Sequence, residues 1–250
     1  MSLNKTYLIT GASSGIGKAV ALELANQNAR LILCGRNSEK LNHLIQSCQN
    51  PELHIIFKGD LTDSENRNKL VDIIDSIDGI VHSAGIVKPV PTKFINEKQI
   101  DEVFNINFKS IVLLNAVLLQ KNKIAKGSSI VMISSISTVH PYFGGAIYVA
   151  SKAAIEGYAK TLALELASKK IRVNVVQPAL VKTEIYTATI ESAFSENEMQ
   201  KYEKQYPLGI GNPDDVSNMI CFLLSEKSKW ITGTSICMDG GLSLGNNKSL

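Results

Sequence analysis

The chain has 250 residues, 44% hydrophobic and 20% charged, with 26 basic against 23 acidic side chains and a net charge of +3. That is ordinary globular usage, sufficient for one substantial core, and a charge so mild and evenly spread excludes a nucleic-acid-binding stripe. No apolar run reaches the length of a membrane span, so a soluble protein is expected.

Residues 5–10 lead straight into a strand pattern without the charged, apolar and small-residue zones of a secretory signal, which points to the cytoplasm. Residues 1–3 are left out of the fold argument. After the first strand, 6–10, comes Thr10-Gly-Ala-Ser-Ser-Gly-Ile-Gly17, opening a helix at 16–26. Gly11, Gly15 and Gly17 permit a tight turn and close backbone approach, while the amides of Ser13, Ser14, Gly15 and Ile16 face a helix N-terminus. Together they read as a cradle for a dinucleotide pyrophosphate. A second strand at 30–34 ends at Gly35-Arg36. An NAD site of this kind places a carboxylate there to hold the adenosine ribose. Glycine removes that charge and Arg36 offers a planar cation to a 2′-phosphate, so NADP(H) is favoured over NAD(H).

Further along, helical patterns at 38–47, 63–76, 99–120, 148–167 and 213–224 alternate with strand patterns at 54–58, 79–82, 129–134, 172–177 and 235–238. Alternation from end to end argues an α/β fold: seven strands, mainly parallel, covered by helices on both faces. No composition break divides the chain, so 1–250 reads as a single domain, and the polar segment 183–207 reads as a substrate lid. Cys34, Cys48, Cys221 and Cys237 form no C-x-x-C pair and read as reduced, mostly buried thiols. His43, His54, His82 and His140 lack the spacing of metal ligands, so no metal is expected.

Chemistry gathers at Tyr148-Val-Ala-Ser-Lys152, which opens the 148–167 helix 13 residues after Ser135. Positions four apart share a helix face, so a lysine cation is expected to draw the phenol down from its ordinary value of about 10 toward a usable acid or base. Ser135, closing the fifth strand, is placed to hydrogen-bond the oxygen that receives the proton.

With these elements in one order, the chain resembles the short-chain dehydrogenase/reductase family in its compact form, over essentially its whole length. The likeness rests on Thr10 to Gly17, Asp60-Leu61, Ala84-Gly85, Asn107, Ser135, Tyr148, Lys152 and Asp239-Gly-Gly241. It implies a doubly wound Rossmann fold and hydride transfer between nicotinamide and a carbonyl or secondary alcohol, with Tyr148 as general acid/base. By the resemblance, Asp60 and Leu61 lie against adenine, Ala84 and Gly85 support the nicotinamide ribose, and Asn107 bends a helix and serves a proton relay. Pro178, Val181 and Thr183 grip the carboxamide, and Tyr148 and Lys152 also touch the cofactor.

Two departures stand out. The family's Asn-Asn-Ala-Gly reads His82-Ser83-Ala84-Gly85, with His82 read as a satisfied core histidine, and its Pro-Gly reads Pro178-Ala179. Similarity leans toward 3-oxoacyl-carrier-protein reductases. Alternatives are a silent NADPH-binding regulator, an NAD-preferring alcohol dehydrogenase, and a sugar-nucleotide epimerase, against which the short tail speaks. His140, Pro141, Tyr142 and Phe143 are expected at the substrate pocket. Surplus apolar positions, Ile111, Leu114, Leu118, Ala154, Tyr158 and Leu162, with a C-terminal turn at 242–244, suggest a homodimer or homotetramer.

Overall fold

The computed structural model describes residues 5–184, 201 and 203–245. Most of the expected lid, 185–200 and 202, lies outside the described residues. Strands β1 (Thr6–Thr10), β2 (Arg30–Gly35), β3 (Ile55–Lys58), β4 (Ile77–His82), β5 (Ile124–Ile133), β6 (Arg172–Pro178) and β7 (Ser235–Met238) form one sheet in the order β3-β2-β1-β4-β5-β6-β7. Every neighbouring pair is parallel. Chain order reverses on either side of β1, leaving between β1 and β4 the crevice where open α/β sheets bind ligands.

Between the strands run α1 (Gly15–Asn26), α2 (Ser38–Ser47), α3 (Ser64–Asp72), α4 (Glu97–Phe104), α5 (Ser110–Gln120), α6 (Ala146–Leu166) and α7 (Pro213–Leu224). Local chemistry sets their starts. Asn37 accepts from Lys40 N at 2.9 Å, Asp63 caps α3 through Glu65 N and Asn66 N, and Asn96 and Gln99 form a reciprocal capping box on α4.

Strand side chains alternate between two cores, as a pleat requires. Tyr7, Ile9, Leu31 and Leu33 pack with Leu24, Leu41 and Ile220 under α1, α2 and α7, whereas Leu8, Ile32, Ile80 and Val175 pack with Leu70, Leu114 and Ile155 under α3, α5 and α6. Each fully buried side chain of this size contributes about 1.5–3 kcal/mol, so burial on both faces holds the sheet between two layers of helix.

Boundaries differ where a local pattern misleads. β5 begins at Ile124 rather than 129, because Ile124 pairs with Ile77 and the register then shifts before Gly79. Gly127, with φ 83°, breaks the apolar run in that stretch and hides the strand's start. α3 ends at Asp72, not 76, since Ile74 N turns back to Val71 O and the buried Ile77 must start β4. Within the helical stretch Glu97–Gln120, one 18-residue window with a mean hydropathy of 1.4 is by length and composition alone apolar enough to cross a membrane, contrary to the expectation that no run would be. The stretch starts with charged Glu97 and Lys98, and Leu114 and Leu118 are fully buried in the core beneath it.

Candidate active site

A cleft of about 830 Å³ opens past the carboxyl ends of β1 to β6, lined by the segments that follow each of those strands. Its dinucleotide end is shaped by glycine. Gly11 has φ 65°, and a Cβ there would stand 2.7 Å from Ala84 N; a Cβ on Gly17 would run into Gly11 O. Only hydrogen fits at either position, so the loops after β1 and β4 touch and the α1 amides stay open to the cleft.

That N-terminus holds an anion already: Gly15 N donates to Glu184 Oε2 at 3.1 Å. The Ser14 N-cap makes no side-chain capping bond, and the first turn of α1 carries no acid of its own. A carboxylate accepted there, in a cradle kept clear of Cβ atoms, fits a site for a phosphate group. Ser13, Ser14, Gly15, Ile16, Arg36, Asp60, Leu61, Ala84, Gly85, Pro178, Val181 and Thr183 all line the same cleft, with Gly17 just behind as the packing glycine. Arg36 is exposed, and Lys40, the third residue of α2, lines the wall beside it. Neither Lys40 nor Glu184 was singled out by motif, because isolated charges carry no spacing signal.

The expected catalytic group meets at the other end. Tyr148 is the third residue of α6, where the positive end of the helix dipole favours a phenolate. Lys152 is buried, its Nζ 5.7 Å from the Tyr148 ring centroid and donating to Ile133 O at 2.8 Å. Burial pulls the Lys152 ammonium down to about 8. Tyr148 departs from expectation: burial raises its phenol above the ordinary value, and only the hydrogen bond from the Ser135 hydroxyl acts downward. Desolvation of the phenolate outweighs that hydrogen bond, while the Lys152 ammonium donates to the Ile133 carbonyl. Ser135 Oγ also accepts from Ser137 N at 3.2 Å.

Asn107 lies in a π-helical turn, Asn105–Lys109, inserted between α4 and α5. Fully buried, it accepts from Ile86 N at 2.8 Å and donates to Ile86 O at 3.0 Å and Ser151 Oγ at 3.1 Å. Ser151 in turn donates to Tyr148 O at 2.7 Å, tying the π-turn to the first turn of α6. Asn107 Oδ1 and Lys152 Nζ each come 3.4 Å from where a Cβ on Gly85 would stand, so Gly85 lies directly against both.

The two departures are accommodated. His82 is 1% exposed, its Nε2 lies 3.0 Å from Asn115 Oδ1, and burial lowers it to about 4; it is a neutral core donor. Ala179 needs no positive φ, and its N–H donates to Met238 O at 2.9 Å, so alanine serves where glycine is usual. Of the expected pocket residues, His140, Pro141 and Tyr142 line the cleft, whereas Phe143, 87% exposed, does not. Leu242, expected at an interface, is buried and lines the cleft together with Ile86, Val87 and Tyr206.

The family model that matches residues 11–243 is described as enoyl-(acyl carrier protein) reductase, and the chain belongs to the short-chain dehydrogenase/reductase family of oxidoreductases. Among its relatives, a 3-oxoacyl-[acyl-carrier-protein] reductase of Rickettsia bellii is 34% identical, across 95% of this chain and 96% of its own length. A short-chain dehydrogenase family protein from Francisella tularensis superposes with TM-score 0.85 at 34% identity, covering 97% of this chain and 100% of that one. The 3-ketoacyl-(acyl-carrier-protein) reductase of Brucella melitensis, solved with NADH, gives 0.84 at 25% identity over 96% and 98%.

Proposed function

We propose that this oxidoreductase reduces the ketone of a 3-oxoacyl thioester, or oxidises the matching alcohol, with NADP(H) favoured over NAD(H). The observation that carries the reading is the meeting of Tyr148, Ser135 and Lys152 with the glycine cradle in one cleft. The dinucleotide, when bound, supplies the hydride. Ser135 donates a hydrogen bond to the carbonyl oxygen and Tyr148 passes it a proton. Lys152, with Asn107 behind it, keeps a positive field beside the phenol as the proton leaves. Arg36 and Lys40 favour a 2′-phosphate where a ribose-binding carboxylate is missing. Ile86, Val87, Pro141, Tyr142 and Leu242 offer an apolar wall to an acyl chain.

We also propose that the chain acts in the cytoplasm as a homodimer or homotetramer. Ile111, Leu114, Leu118 and Leu162 belong to the chain's own core and lend this no support. It rests instead on Val112, Leu113 and Ala116, a half-exposed row along α5, and on Ala154 of α6, since Val117 and Tyr158 pack against the chain's own core.

The test is oxidation of NADPH and NADH by wild type and Tyr148→Phe across a panel of 3-oxoacyl thioesters and simple ketones, with binding of both dinucleotides measured in parallel. Wild type is expected to turn over the thioesters with NADPH, and Tyr148→Phe to bind NADPH normally while losing on the order of 10²–10⁴ in kcat. Binding without turnover on any carbonyl would replace this reading with an NADPH-sensing regulator.

A further inference from the structure

Behind Ser135, a second set of polar side chains joins the three segments that carry the proposed reacting groups. Glu156 stands one turn beyond Lys152 on α6. Its Oε1 accepts from Ser134 Oγ at 2.7 Å and from Gln177 Nε2 at 2.8 Å. The same Gln177 amide donates to Thr138 Oγ1 at 3.0 Å, and the Thr138 hydroxyl donates to Ser135 O at 3.1 Å. Ser134 Oγ lies 3.2 Å from Lys152 O as well.

The direction of this chain is set at one end. A carboxylate only accepts, so both hydrogens of the Gln177 amide are committed, one to Glu156 and one to Thr138, and the Thr138 proton is left for the Ser135 carbonyl. Ser134 and Gln177 are buried, so loss of the carboxylate turns the Ser134 hydroxyl to Lys152 O alone and leaves one Gln177 N–H unpaired away from water. Glu156, Gln177 and Thr138 stand outside the cleft lining, whereas Ser134, Ser135, Tyr148, Lys152 and Pro178 lie within it. Gln177 immediately precedes Pro178, Ser134 precedes Ser135, and Glu156 shares a helix with Tyr148 and Lys152. One acceptor atom therefore pins together the ends of β5 and β6 and the first turns of α6.

We propose that Glu156 is a positioning residue: acting through Gln177 and Thr138, it fixes the Ser135 peptide so that the Ser135 hydroxyl faces the Tyr148 phenol. The proposal rests on the carbonyl-reductase reading for its kinetic consequence, not for its geometry. Misplacement of a reacting group by about 1 Å costs on the order of 10²-fold in rate, and Ser135 hangs on this peptide.

Three variants test it: Glu156→Ala, Glu156→Gln, which keeps an acceptor oxygen of similar reach, and Thr138→Val, which keeps the Glu156 carboxylate but removes the hydroxyl that links Gln177 to Ser135. With NADPH and a 3-oxoacyl thioester, Glu156→Ala is expected to lower kcat by roughly 10- to 100-fold. The KM for NADPH should stay unchanged, and the isotope effect from deuterated NADPH should rise. Thr138→Val should lose part of the same rate, and Glu156→Gln should restore most of it. A purely structural role predicts fewer folded molecules but unchanged kcat per NADPH-binding site and an unchanged isotope effect, and that result overturns the proposal. So does equal damage in Glu156→Gln and Glu156→Ala. Should Glu156→Ala fail to fold, Thr138→Val decides alone, and a wild-type kcat there rejects the idea.

A second readout needs no turnover. Phenolate absorbance, taken as the difference between each protein and its Tyr148→Phe counterpart, reports Tyr148 directly. Because the Ser135 hydrogen bond favours the phenolate, Thr138→Val should move that titration upward. An unmoved titration refutes the positioning role, whereas a wild type that reduces no carbonyl refutes only the reductase reading.

Discussion

Glu184 sits on the first free amide of α1 as a carboxylate where the proposed dinucleotide would bring a phosphate. The two anions compete for one N–H, and a carboxylate at a helix start is worth about 0.3–1 kcal/mol. Glu184→Gln is therefore expected to tighten NADPH binding by roughly two- to five-fold, read by calorimetric titration; weaker binding would mean that Glu184 helps to hold the cofactor. His82 makes a different demand. Its pKa falls from 6.5 to about 4 in the folded chain, so between those values the unfolded chain binds the extra proton and stability drains away as pH falls. At full expression that is on the order of 3 kcal/mol, at about 1.4 kcal/mol per pKa unit. Urea melts at pH 7 and pH 4.5 should show the loss, and His82→Asn should flatten it even if the variant is less stable at pH 7. Tyr148, Lys152 and Ser135 were readable because their spacing is local chemistry on one helix and one strand end. The sign of the Tyr148 shift was not, because desolvation depends on what the rest of the chain packs around the ring.

At the scale of elements, the π-turn at Asn105–Lys109 is the piece the apolar pattern concealed. Helical periodicity runs through 99–120 without interruption, and one extra residue in a turn shifts the buried face too little to show. The turn brings Asn107 to Ile86 and Ser151, so the loop after β4 and the start of α6 are fastened by one amide. Asn107→Ala leaves the Ile86 N–H and carbonyl without their side-chain partner, and is expected to destabilise the fold by about 2–4 kcal/mol in urea denaturation. A change under about 0.5 kcal/mol, the ordinary effect of a surface substitution, would show that the π-turn stands without it. Helices α2 and α7 were better marked, falling where their patterns predict, whereas α4 begins at Glu97 rather than 99, behind the Asn96 cap. Strand β5 was not, because its first half pairs through an irregular register that apolar alternation does not reveal.

For the whole molecule, the half-exposed row Val112, Leu113 and Ala116 lies on the side of α5 away from its buried Ile111, Leu114 and Leu118. Sedimentation at micromolar concentration is expected to give a dimer or tetramer, and Leu113→Glu should shift it toward monomer; a stable, active wild-type monomer would refute self-association. By itself, the sequence determined the alternation of strands and helices, the glycine cradle after β1, and the Ser135, Tyr148 and Lys152 positions, since each depends on neighbours within a turn or two. Only the tertiary structure decided which apolar residues the core consumes, that Leu242 turns into the cleft while Phe143 turns out, and that Glu184 reaches Gly15 across 169 positions of chain. Those outcomes depend on contacts between segments far apart in sequence, where burial and competition for a shared hydrogen-bonding group choose among side chains that look alike in the chain.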